Sequence, residues 1–158
     1  MPAASVTYKF SQRFRVSAHE AYEWCTDYQP DDLSLMNEKG RRDIQRLTND
    51  TIILSETIIK AGKRTKKVKL VKLNPTALSW YNIQISGPNK LSAFLYHIVP
   101  EAKMRSKLNF TGLLVVYNKA KLTSQRIEHI AKTERQLDSN AWILLAKAMA
   151  KDINRRRS

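Results

Sequence analysis

The sequence predicts an α+β fold in which a curved, seven-stranded antiparallel sheet wraps one long C-terminal helix, with two short helices between strands 1 and 2. Three observations carry that expectation. Tracts of alternating apolar and polar residues recur between Val6 and Tyr117, the period changes from two to about 3.6 after Thr123, and no proline or glycine follows up to Arg157. A helix from Thr123 to about Asn154 is about 48 Å long at 1.5 Å per residue, and its apolar seam is buried only against a broad sheet.

The elements follow in order. Val6, Tyr8, Phe10, Phe14 and Val16 share one parity, which marks Val6 to Val16 as a half-buried strand. Ser17-Ala18-His19-Glu20 is a capping box, and Ala21, Trp24 and Cys25 are the inner stripe of the short helix it opens. Tyr28 to Asp32 ends that helix, and Leu33 to Met36 forms one further turn before Gly40. Arg41 to Thr48, Thr51 to Lys60 and Lys66 to Leu73 read as antiparallel strands, joined by Asn49-Asp50 and by an Ala61-Gly62-Lys63-Arg64 turn. Ala77 to Ser86, Leu91 to Val99 and Met104 to Tyr117 complete the sheet, with Gly87-Pro88-Asn89 and Pro100-Glu101-Ala102 between them. In the closing helix, Ile127, Ile130, Leu137, Ala141, Leu144, Leu145, Ala148 and Ile153 form the seam.

A chain of 158 residues suits one domain, 1–158, and buries roughly two-thirds of its extended surface without a metal or disulfide. Cys25 is the single cysteine, so no internal bridge forms and no zinc site is built from it. Met1 to Phe10 lacks the basic start and apolar core of a secretory signal, and no apolar run approaches about 18 residues. The expectation is a cytoplasmic, non-spanning protein.

The net charge of +14 is unevenly placed: Thr57 to Ile127 holds 14 Lys or Arg against one acid, Glu101. Such a field suits nucleic acid, anionic lipid headgroups or acidic ligands. Lys60 to Lys72 alone carries seven positive charges in 13 residues. With Val68 and Leu70 turned inward, Lys67 and Lys69 face water and, with Lys63, Arg64, Lys66, Arg105 and Lys107, make an anion-binding surface on the outside of the sheet. An edge hairpin protected from aggregation by its lysines is the plain alternative.

The opening strand running into the capped helix (Phe10 to Trp24), the tract Ala93-Phe-Leu-Tyr-His-Ile-Val-Pro100 with Lys107 to Val116, and the closing helix resemble the START-like, or SRPBCC, superfamily. The resemblance is one of architecture and strand rhythm and covers nearly the whole chain. It implies the helix-grip fold and a cavity between sheet and helix, in a family that includes lipid carriers, pollen-allergen-like proteins and polyketide cyclases. The allergen-like branch carries a glycine-rich loop between its second and third strands, where this chain has Leu47-Thr48-Asn49-Asp50.

The cavity lining expected on that basis is Tyr81, Ile83, Tyr96, Phe110, Leu137, Ala141 and Leu145. Asn82, His97 and Asn109 are polar residues in strand tracts that can orient an apolar ligand. Glu56 reads as exposed, because a buried carboxylate needs a partner such as a neighbouring lysine. No metal-spaced set occurs among His19, His97 and His129, and no nucleotide-binding glycine pattern or nucleophile elbow is present. The resulting expectation is binding or transfer of a lipid or other hydrophobic small molecule, without cofactor, the basic face docking on anionic membrane. Structured RNA or duplex binding through that face is the alternative, and a cyclase or dehydratase using Tyr96, His97 or Asn109 is a second.

Overall fold

The computed structural model describes residues 2–157, so the termini of the expected domain, Met1 and Ser158, lie outside the described residues. In chain order the elements are β1 (Ala3–Phe14), α1 (Ala18–Thr26), α2 (Asp32–Leu35), β2 (Lys39–Arg46), β3 (Thr51–Lys60), β4 (Lys63–Asn74), β5 (Ser79–Ser86), β6 (Ala93–Ala102), β7 (Arg105–Tyr117) and α3 (Ser124–Arg157). The seven strands form one antiparallel sheet in the order β1-β7-β6-β5-β4-β3-β2. β1 and β2 are its edges, and α3 packs chiefly along β1 on the inner face. This is the expected fold. No helix among the described residues is long and apolar enough to cross a membrane.

Local chemistry explains the turns that fix this layout. The Ser17 hydroxyl accepts from the Glu20 backbone N–H while the Glu20 carboxylate accepts from the Ser17 N–H, so α1 starts where the capping box predicts. Arg157, in the last turn of α3, donates to Glu20 and ties the two helices together. Asn74 is followed by a short 3-10 turn, Pro75–Ala77, closed by Leu78 at φ 50°, so β5 begins at Ser79 rather than Ala77. β6 extends through Pro100 to Ala102, and the chain reverses at Lys103-Met104 instead of at Pro100-Glu101-Ala102.

The hairpin between β3 and β4 departs most from expectation. Its loop is only Ala61-Gly62, at φ 50° and 75°, and Lys60 pairs with Lys63. Positive φ at both central residues suits a tight turn whose twist matches the strands it joins. Ile52 and Leu54 are buried, so Glu56 shares their inward parity, and the short turn sets Leu54 opposite Lys69 and Glu56 opposite Lys67. Lys67 and Lys69 therefore face the helix, and Val68 and Leu70 face outward. The expected orientation is reversed.

The same register propagates across the sheet. Val71 pairs with Asn82 and Leu73 with Trp80, which turns Trp80, Asn82 and Gln84 inward and Tyr81 and Ile83 outward. On β6 Phe94, Tyr96 and Ile98 point in and His97 out; on β7 Leu108, Phe110, Gly112 and Leu114 point in, and Arg105, Lys107 and Asn109 out. The convex side consequently carries an apolar row, Ile53–Leu70–Ile83–Ala93–Leu113, running across five strands. Arg64, Lys66, Arg105 and Lys107 remain outside with the exposed hairpin residue Lys63, and of the anion-binding surface that the sequence suggested only Lys67 and Lys69 turn inward.

Gly112 has a specific use. It pairs with Tyr8, and a Cβ added there would lie 2.4 Å from the Tyr8 ring. The missing side chain lets the ring lie across β7 toward α3. Inside, one apolar cluster joins Phe14, Val16, Ala21, Ile52, Leu54, Val71, Ile98 and Leu108 to Met149 and Ile153. A second joins Val6, Tyr8, Phe110 and Leu114, with Ile127, Ile130 and Ala131 packed against it.

Candidate functional site

Between the sheet and α3 lies a cavity of about 830 Å³. Its aromatic floor is built from inward positions of β5, β6 and β7. Trp80 stacks on Tyr96 with ring centres 4.6 Å apart and planes 2° from parallel, and Phe110 meets Tyr96 edge-on at 5.1 Å. Trp142 closes over Tyr96 from the helix at 5.9 Å. All three tryptophans, Trp24, Trp80 and Trp142, line the space.

The wall formed by β2, β3 and β4 is charged. Glu56, only 2% exposed, accepts from Arg42 Nε at 2.9 Å and Nη2 at 2.6 Å through Oε2, and its Oε1 lies 2.8 Å from Lys69 Nζ. Arg42 also donates to Asp32 Oδ2 at 3.0 Å and lies over the Tyr28 ring. Burial pushes the Glu56 carboxyl up, but Lys69 and Arg42 outweigh it and hold the group at about 2. The partner that a buried Glu56 requires is present, so its expected exposure is corrected.

On the opposite side, Tyr8 donates its hydroxyl proton to Asp138 Oδ2 at 2.5 Å. Burial raises the Asp138 carboxyl above its usual range, the Tyr8 bond only partly offsetting it, and burial likewise raises the Tyr8 and Tyr96 phenols. Asn82 Nδ2 donates to Tyr96 Oη at 3.4 Å. Two amide atoms facing this space have no hydrogen-bond partner among the described residues: Oδ1 of Asn82, 4% exposed, and Nε2 of Gln84, 2% exposed. Buried polar atoms are normally satisfied, and orphaned ones point to a missing ligand or solvent.

Of the residues expected around a ligand, Tyr96, Phe110, Ala141 and Leu145 line the cavity, and Leu137 stands at its rim, 52% exposed. Tyr81, Ile83, His97 and Asn109 do not, because the pairing register points them away from the helix. Tyr81, His97 and Asn109 meet instead in an open groove of about 650 Å³ on the convex face, beside Lys72, Leu95 and Thr111. The residues that sequence reasoning passed over are Tyr8, Trp80, Gln84, Asp138 and Trp142, together with Lys67 and Lys69 as inner groups. Gln84 shares its parity with Trp80 and Asn82, and Asp138 lies eight residues after Ile130 on the helical repeat, but neither is apolar enough to be noticed as core.

No family model and no curated protein matches the sequence. Solved structures do match over nearly its full length. An aromatase/cyclase from a Streptomyces species superimposes with a TM-score of 0.74 at 12% identity, covering 98% of this chain and 97% of its own. A START superfamily protein from Mycobacterium smegmatis gives 0.66 at 14% identity, covering 95% of this chain and 98% of its own. The chain has the START-like, helix-grip fold. Norcoclaurine synthase from Thalictrum flavum, solved with dopamine and hydroxybenzaldehyde, shares this START-like fold at a TM-score of 0.69 and 14% identity, covering 99% of this chain and 90% of its own.

Proposed function

We propose that the protein binds a small, flat amphipathic molecule in the cavity between sheet and helix. The observation that carries this reading is the pair of orphaned amide atoms, Asn82 Oδ1 and Gln84 Nε2, facing a space of about 830 Å³ floored by stacked aromatic rings. That volume is within the usual range for a small-molecule site, and the mixture of apolar surface with a few polar groups suits a ligand oriented by its polar end. A START-like neighbour crystallised with two aromatic compounds supports a ring-bearing ligand over a simple acyl chain. The charged wall makes the site more polar than a carrier of plain hydrocarbon needs.

Because all three tryptophans line the space, their fluorescence reports occupancy directly. Titration with the neutral apolar probe N-phenyl naphthylamine is expected to quench it saturably at one probe per chain. Ala141→Trp, which fills part of the cavity, is expected to abolish the response. Folded protein that takes up no probe, or an Ala141→Trp variant that binds as well as the parent, would sink the reading.

A further inference from the structure

β4 brings two ammonium groups to the inner face, and they are not equivalently paired. Lys69 lies 2.8 Å from Glu56 Oε1. The ammonium of Lys67, two residues earlier and directly opposite Glu56 in the register, makes no hydrogen bond or ion pair among the described residues. Glu56 is already shared between Arg42 and Lys69. Burial, and then the neighbouring Lys69, push the Lys67 ammonium below its usual range. Glu56, Glu38 and Glu134 lie near enough to favour its charge, but none of them is in contact with the ammonium.

The second observation is independent of the first. Gln84 is 2% exposed, and its Nε2 has no acceptor. That nitrogen sits against β4: a Cβ placed on Gly87 would lie 3.0 Å from it and 3.3 Å from the Lys67 Cα. The orphan donor thus lies beside the β4 backbone from which the Lys67 side chain springs, and an unsatisfied donor and an unpaired ammonium are each costly to bury. The other charged groups facing this point do not resolve it. Asp138 is engaged by Tyr8, Glu38 precedes β2 on an exposed stretch, and Glu134 on α3 favours the Lys67 charge from a distance without forming an ion pair with it.

We propose that the ligand carries an oxyanion of the carboxylate or sulfonate class on its ring-bearing body, and that Lys67 and Gln84 bind it. A single oxyanion accepts from both donors through charge-assisted bonds, while the rings of Trp80, Tyr96 and Phe110 take the apolar body. This assignment rests on the cavity reading above and adds the chemistry of the head group.

Two probes that share one ring system separate the claims. Anilinonaphthalene sulfonate is expected to bind about tenfold more tightly than neutral N-phenyl naphthylamine, both followed by tryptophan quenching. Lys67→Gln and Gln84→Leu should each weaken the sulfonate by about five- to tenfold and leave the neutral probe within about twofold. Lys66→Gln, on the outward parity of the same strand, should change neither. Gln84→Leu should melt no lower than the parent, since its buried nitrogen has no bond to lose. Equal affinity for the two probes, losses shared by both, or a Lys66→Gln effect equal to that of Lys67→Gln would overturn the assignment while leaving the cavity reading intact. Binding of neither probe would overturn both.

Discussion

With Arg42 and Lys69 both at hydrogen-bonding distance, the buried Glu56 carboxylate is shared between two cations, and Arg42 draws further counter-charge from Asp32. Glu56→Gln keeps the shape and removes the charge, and it is expected to cost about 3 kcal/mol in urea denaturation at pH 7. Because the folded value is lowered, the stabilisation is complete above the ordinary glutamate value of 4.5 and disappears as pH falls toward about 2. The variant should show a flatter acid limb over that window, and an unchanged limb would refute the linkage. Asp138 has the opposite sign. Its raised carboxyl opposes folding at pH 7, so Asp138→Asn, which still accepts from Tyr8, should be more stable than the parent there in urea denaturation. That gain should vanish below the unfolded aspartate value of 3.8. Gly112→Ala drives a methyl group into the Tyr8 ring and should cost about 1–3 kcal/mol, but clearly less in a Tyr8→Leu background.

At the level of elements, the strands and helices were legible because alternation and the 3.6-residue period are statements about one chain segment at a time. The capping box at Ser17 and the long helix from Thr123 needed nothing else. Which face of β4 and β5 turns inward was not legible in the same way, since hydrophobicity favoured Val68 and Leu70 over two lysines. Parity there is decided by pairing to β3, where Ile52 and Leu54 are buried, and by the length of the Ala61-Gly62 loop. The expectation is that alanine substitutions along β5 will alternate in effect. Tyr81→Ala should leave N-phenyl naphthylamine binding unchanged, whereas Trp80→Ala should weaken it by about tenfold or more. Equal effects at the two positions would contradict the observed register.

For the whole molecule, the resemblance in strand rhythm was enough to anticipate a sheet gripping a helix, while the contents of the grip depended on long-range pairing. Tyr96 and Phe110 were found because aromatic residues in strands are conspicuous. Asp138 and Gln84 were missed because a polar residue on a core-facing position looks like a surface residue until the partner elements are placed. Occupancy of the cavity should be visible globally: a ligand present at about 100 times its Kd adds about 2.7 kcal/mol, or roughly 5–10 °C in Tm. Differential scanning fluorimetry with the tighter-binding probe measures this, and a saturating probe that leaves Tm unmoved would not be binding the folded state selectively.

The two-residue loop at Ala61-Gly62 gives the pocket an unusual kind of heritability. Inserting one residue there and shifting β4 by one position would turn Lys66, Val68 and Leu70 inward in place of Lys67, Lys69 and Val71. A single codon insertion in the hairpin would therefore redraw one wall of the pocket, while Arg42, Glu56 and the aromatic floor stay where they are.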